Sequence, residues 1–200
     1  ASAIERITAN AFRLRDAHPT PEAASLCERV RLDHAYVPSG RKLTDFGLLV
    51  MDMDSTLITI ECIDEIADVH GIKAEVARIT ESAMRGEIDF AQSFTRRVAL
   101  LKGLSSEVLE DIIANHITFS PGAKRLISAL KNHGYYVVLV SGGFNYFAEY
   151  VKNSLGMDES YANDLDIVDN LVTGEITSAI VDGKRKAEIL QAVAQRLGIK

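Results

Sequence analysis

Two short apolar runs limit what this chain can become. Gly47-Leu48-Leu49-Val50-Met51 and Tyr135-Tyr136-Val137-Val138-Leu139-Val140 are continuous rather than alternating. Runs of this length and character mark strands covered on both faces, as in a parallel sheet flanked by helices. The second run follows a helix with clear punctuation. Ser120 serves as its N-cap, Pro121 fits the first turn, and Gly134 suits the C-terminal stop. Helix followed by buried strand is the α/β rhythm.

Between the two runs, helical spacing recurs over residues 61–70, 74–84, 89–101 and 105–115. That is more helix than one crossover needs. The expected fold is therefore α/β, a parallel-sheet Rossmann-like core (residues 47–59 and 118–200) with an inserted helical cap (residues 60–117). Beyond the second strand the pattern predicts a helix over 144–155 and strands over 164–168 and 171–176. Asp169-Asn170 forms the hairpin turn between those strands, and a last helix spans 184–197. Residues 1–46 read as an N-terminal helical appendage, with helices over 4–15 and 22–32 and no constellation that carries chemistry.

Composition narrows the function classes. The chain has 200 residues, 47% hydrophobic and 25% charged, which is ordinary for a globular protein with a real core. A net charge of -6 argues against nucleic acid as partner, since that needs a basic patch or stripe. No apolar run reaches the ~18 residues of a membrane span, and no secretory pattern opens the sequence, so no membrane partner and a cytoplasmic location are expected. Cys27 and Cys62 are too few for a disulfide framework and read as small core residues in a reducing compartment.

Chemistry concentrates where the apolar runs end. Asp52 and Asp54 sit two residues apart immediately after the first run, at the sheet edge where open α/β folds bind ligands. Two such carboxylates repel, which raises the pKa of one of them. One can then attack phosphorus and the other move a proton, with Mg2+ held by Asp52 and Asp54 offsetting the charge. Ser141-Gly142-Gly143 ends the second run and offers a hydroxyl and backbone N–H groups to an anion. Lys186 lies in a basic triplet at a helix N-terminus, a poor place for cations unless an anion is near. Arg97 projects about 20° from Phe90 on an apolar helix face, where its planar fork needs a partner. Glu61 opens the first cap helix and could take an ammonium. Each feature also has an ordinary reading: acids and glycines at plain turns, a solvated basic face, a snorkelling arginine, a first-turn acid.

In combination, the chain resembles the haloacid-dehalogenase-like phosphatases, and within them the phosphoserine-specific branch. Asp52-Met53-Asp54-Ser55-Thr56 looks like the first family motif, Val140-Ser141-Gly142-Gly143-Phe144 the second, and Lys186 the third. Glu61-Cys62-Ile63-Asp64-Glu65 and Met84-Arg85-Gly86-Glu87-Ile88-Asp89-Phe90 with Arg97 are similar to the phosphoserine-specific form. The resemblance covers about residues 47–200. It implies Asp52 as nucleophile and Asp54 as acid/base, the latter also giving its backbone carbonyl to Mg2+. It further implies that Ser141, Gly142 and Lys186 hold the phosphoryl group, while Glu61 and Arg97 recognise O-phosphoserine in serine biosynthesis. The family's Gly-Asp-Gly-x-x-Asn-Asp motif has no counterpart before Lys200, so a shortened form of a longer protein is expected. Rival readings are a phosphotransferase, another small-molecule phosphatase of the same family, and a non-catalytic module or fragment.

Overall fold

The first two elements are strands rather than helices. Ala3-Ile4-Glu5-Arg6 and Phe12-Arg13-Leu14-Arg15 form β1 (Ala3–Arg6) and β2 (Phe12–Arg15) in the computed structural model, which describes residues 1–199. The strands pair antiparallel, with Ile4 opposite Leu14. The helix expected over 4–15 is a hairpin instead, closed by the Ile7 and Thr8 amides on the Ala11 carbonyl at 2.9 and 3.1 Å; only Phe12-Arg13-Leu14-Arg15 alternates apolar and charged residues. Thr8 supports the turn, its Oγ1 accepting the Asn10 amide at 3.2 Å. α1 (Pro21–Arg29) follows, capped by the Thr20 hydroxyl, which accepts the Ala23 amide at 3.2 Å. Cys27 on this helix is half-buried rather than a core residue. These elements make up one unit, Ala1–Lys42, which is only partly helical; a second unit begins at Leu43.

In the second unit β3 (Leu48–Met51) is followed by four helices, α2 (Cys62–Val69), α3 (Lys73–Met84), α4 (Phe90–Ala99) and α5 (Glu107–Asn115). α6 (Ala123–Asn132) then leads into β4 (Tyr136–Phe144). Ser120 does not cap α6. Its amide is bound to the Leu57 carbonyl at 2.9 Å, and the chain turns through left-handed Gly122, which takes the cap position. Gly134 does end the helix, at φ +79°. After β4 come α7 (Asn145–Leu155), β5 (Glu159–Asn163), the hairpin of β6 (Leu165–Val168) and β7 (Leu171–Ile176), and α8 (Gly183–Arg196). Asp169 and Asn170 both take positive φ, 52° and 61°, as a two-residue hairpin turn requires.

The sheet is parallel, in the order β3-β4-β5, and the α/β expectation holds. Leu49 and Met51 pack into the larger core cluster with Leu139 and Phe147. Leu48 and Val50 face the smaller one, with Val138, Ile189 and Val193. Both faces of β3 are therefore covered, yet its residues are only half-buried, because among the described residues β3 is the outer strand of the sheet. Among the described residues no helix is long and apolar enough to cross a membrane.

One carboxylate fastens three elements. Glu159 of β5 accepts the Tyr136 hydroxyl of β4 at 2.6 Å, the Tyr161 hydroxyl at 2.7 Å, and the Arg196 guanidinium of α8 at 2.6 and 2.7 Å. Burial pushes its pKa up, but these donors outweigh burial and hold it at about 2. A carboxylate depressed in the folded state stabilises the fold above its unfolded pKa, ~4.3, and loses that contribution as pH falls through the folded value. Glu159→Gln should lower stability in urea at neutral pH by about 2 kcal/mol. The gap to wild type should close as pH drops from ~4.3 toward 2.

Candidate active site

Parallel register delivers the two key segments to the same edge. Met51 pairs with Leu139, so Asp52 and Asp54 leave β3 beside the stretch of β4 that holds Ser141, Gly142 and Gly143. Met53, fully buried, anchors the segment between the two acids. The chain then curls over it, the amides of Thr56, Leu57 and Ile58 all bonding the Met53 carbonyl at 2.9–3.2 Å. Asp54 Oδ1 accepts the Cys62 amide at 3.0 Å, the first helical residue of α2. A helix N-terminus favours a negative charge there. Asp54 Oδ2 accepts the Ser141 hydroxyl at 3.3 Å, and the Gly143 amide donates to Ser141 Oγ at 2.9 Å.

α8 closes the site from the other side. Asp182 caps it, accepting the Arg185 amide at 2.7 Å, and sets the helix phase. Of the basic triplet, Lys184 is exposed and Arg185 pairs with Glu188 at 3.1 Å. Lys186 alone turns inward, its Nζ 2.6 Å from Asp52 Oδ2. Both side chains keep partial water contact, so the pair contributes about 1 kcal/mol or less. Burying Ile189 and Val193 of the same helix is worth about 1.5–3 kcal/mol each, so it is this packing that places the lysine.

The helical segment supplies the third wall. A capping box at Asp89 and Gln92 fixes the start of α4, which aligns Phe90, Phe94 and Arg97 along one side. Phe90 is 42% exposed rather than core, and its ring stacks on Phe94 at 5.9 Å. Arg97 lies over Phe94 at 6.0 Å, and its Nε is buried with no hydrogen-bond partner among the described residues. Glu61 Oε1 accepts the Ser55 hydroxyl at 2.6 Å.

Asp52, Asp54, Glu61, Arg97, Gly142 and Lys186 thus line one cleft of about 250 Å³. Ser141 does not reach its wall; it is fully buried behind it, against Asp54. Burial raises the pKa of Asp54, the Cys62 amide and the Ser141 hydroxyl oppose the rise, and the charge of Asp52 adds to it. Burial also raises Glu61, against the Ser55 hydroxyl, and lowers Arg97, against the nearby acids Asp64 and Glu61. The Cys62 thiol is pushed up, chiefly by burial, so it stays protonated and is no nucleophile. The donor set is hard oxygen, which fits Mg2+. Two carboxylates converge, and among the described residues no group of three His, Cys, Asp or Glu does. The fit is to an ion whose remaining positions are filled by water and phosphate oxygens.

Several wall residues escaped the sequence reading. Ile63, Val181, Asp182 and Gly183 line the cleft, and Asn163, fully buried, bonds the carbonyls of Gly142 and Gly143. Backbone walls and a lone asparagine leave no spacing signal. Gly143 had one, as the third residue of Ser-Gly-Gly.

This chain belongs to the haloacid dehalogenase-like hydrolase family, which matches residues 49–200. Its relatives narrow the likeness further. A phosphoserine phosphatase of Polaromonas sp. is 48% identical over 163 residues, 79% of this chain and 69% of the relative. One from Idiomarina loihiensis is 52% identical over 148 residues, covering 74% and 67%. A probable phosphoserine phosphatase of Schizosaccharomyces pombe is 53% identical over 154 residues, covering 76% and 51%. The chain therefore spans between about half and two thirds of the length of these curated relatives. Among solved structures, a phospho-aspartyl intermediate analogue of phosphoserine phosphatase is similar at a TM-score of 0.72 and 42% identity, over 78% of this chain and 74% of that one. A family hydrolase from Salmonella enterica serovar Typhi is similar at 0.82 and 33% identity, covering 91% and 63%.

A Cβ on Gly143 would lie 2.6 Å from Asp54 Oδ2, with the Ser141 hydroxyl at 3.2 Å. Gly143→Ala must displace the Asp54 carboxylate. Phosphate release from p-nitrophenyl phosphate should fall by about 10²-fold, while the melting curve stays close to wild type.

Proposed function

We propose that the protein hydrolyses O-phosphoserine to serine and phosphate through a phospho-enzyme on Asp52, as a cytoplasmic step of serine biosynthesis. The observation that carries this reading is the 2.6 Å pair of Lys186 with Asp52, set beside a half-buried Asp54 whose pKa is raised. In the first step an Asp52 oxygen bonds phosphorus and the P–O bond to serine breaks. Asp54, protonated, gives its proton to the departing serine oxygen. In the second step water bonds phosphorus, the Asp52–P bond breaks, and the water proton passes to Asp54. Lys186 neutralises the charge that Asp52 and the phosphoryl oxygens accumulate. Ser141 orients Asp54 from behind the wall, and Gly142 faces the phosphoryl side. Mg2+, held by Asp52 and Asp54, would supply further neutralisation of phosphate charge when bound.

Substrate choice falls to the helical side. Arg97 has an unpartnered buried Nε, a costly state that a substrate carboxylate would relieve. Glu61 offers a carboxylate to the substrate ammonium. Residues 60–117 act as the cap and residues 47–59 and 118–200 as the core, the cap closing over bound substrate to exclude water.

Phosphate release from O-phosphoserine with magnesium tests the reading. Asp52→Asn should reduce it by more than about 10³-fold; an unchanged rate overturns the mechanism. Arg97→Ala should raise the phosphoserine KM by about 10- to 100-fold and leave that of p-nitrophenyl phosphate nearly unchanged. Transfer of the phosphoryl group to an added alcohol in preference to water would make the protein a phosphotransferase instead.

A further inference from the structure

We propose that Asn163 is a positioning residue for this chemistry, a buried carboxamide that fixes the phosphate-side wall and the lysine-bearing helix in one register. The inference rests on the phosphatase reading of the site. Asn163 ends β5 and is fully buried. Its Nδ2 donates to the Gly142 carbonyl at 2.8 Å and to the Gly143 carbonyl at 3.1 Å. Its Oδ1 accepts the Val181 amide at 2.8 Å. Two carbonyls on one side and an N–H on the other leave only one orientation for the amide group. No other uncharged side chain of similar shape offers both donors and an acceptor in that plane.

Each bond leads toward a catalytic carboxylate. From Gly143, the backbone amide donates to Ser141 Oγ, and the Ser141 hydroxyl donates to Asp54. From Val181, the chain passes directly to Asp182, which caps α8, and so to Lys186 and Asp52. The two backbones also touch: a Cβ on Gly142 would sit 3.4 Å from the Val181 carbonyl oxygen. Asn163 therefore stands behind both halves of the site without lining the cleft.

The connection between Asn163 and Val181 explains why such a clasp is needed. The β6–β7 hairpin fills it, and the tip of that hairpin is bound to the loop between α4 and α5. The Gly103 amide donates to the Val172 carbonyl at 2.7 Å, the Val172 amide to the Leu104 carbonyl at 2.8 Å, and the Ser106 amide to the Asn170 carbonyl at 2.9 Å. Displacement of the helical segment would be passed along the hairpin to Val181 and α8. The Asn163–Val181 bond closes the base of the excursion and isolates the phosphate wall from it.

The test compares wild type, Asn163→Ala and Asn163→Asp with p-nitrophenyl phosphate in magnesium buffer, and measures inorganic phosphate affinity by calorimetry. The aspartate keeps the shape. Ionised, it sets a negative oxygen against two carbonyls; protonated, it regains one donor. Near neutral pH both variants should lose about 10- to 100-fold in kcat/KM and bind phosphate more weakly. The ratio of Asn163→Asp to wild type should then rise as pH falls from about 8 to 5, a profile that loss of packing alone does not give. The inference is overturned if Asn163→Ala keeps kcat/KM and phosphate affinity within about twofold, whatever its melting temperature, or if the Asn163→Asp ratio is flat with pH. Should the alanine variant fail to fold, the aspartate profile decides alone. Wild type that releases phosphate from no monoester would refute the proposed function, and phosphate affinity across pH would then decide the role of Asn163 separately.

Discussion

The parallel pairing of β3 with β4 is the constraint on which the site depends. Four register pairs, from Leu48 with Tyr136 to Met51 with Leu139, bring two distant stretches of chain out at one edge. A slip of one residue would send Asp52 and Asp54 to the opposite face and bury charge in the core, at a cost of several kcal/mol per unpaired group. The apolar faces of β3 prevent that slip. Leu49 and Met51 belong to one cluster, Leu48 and Val50 to the other, and neither set fits the other's place without loss of packing.

With the edge fixed, weak interactions suffice to finish the site. The Lys186–Asp52 pair is short yet partly hydrated, so it adds little stability. Its value lies in bringing a cation to an acid before any substrate arrives. Asp54 differs from Asp52 through surroundings, not chemistry. It sits against the buried Ser141 hydroxyl and at the N-terminus of α2, where burial favours its neutral form. Two like residues two positions apart thus meet unlike surroundings, one beside Lys186 and the other held by the Cys62 amide and the Ser141 hydroxyl.

An acidic chain must concentrate the cations that meet an anionic substrate. Several basic side chains outside the cleft are paired with acids, as Arg85 is with Glu87, Lys131 with Asp158, and Arg196 with Glu159. Lys186 of α8 and Arg97 of α4 both line the cleft.

The sequence by itself determined the parallel α/β core and the four helices after β3, and six of the seven site residues it singled out line the cleft. Apolar runs, caps and paired acids act over a few neighbours, and such local chemistry is written in order along the chain. It misread residues 4–15, which pair as a hairpin, and Ser120, since Gly122 takes the cap position of α6. It also set Ser141 in the wall, although the fold turns that hydroxyl back onto Asp54. Tertiary structure alone decided which lysine of three faces inward, which carboxylate is buried, and what Asn163 holds. Those outcomes depend on segments more than a dozen residues apart, whose meeting is governed by packing, and packing leaves no periodic mark in the sequence.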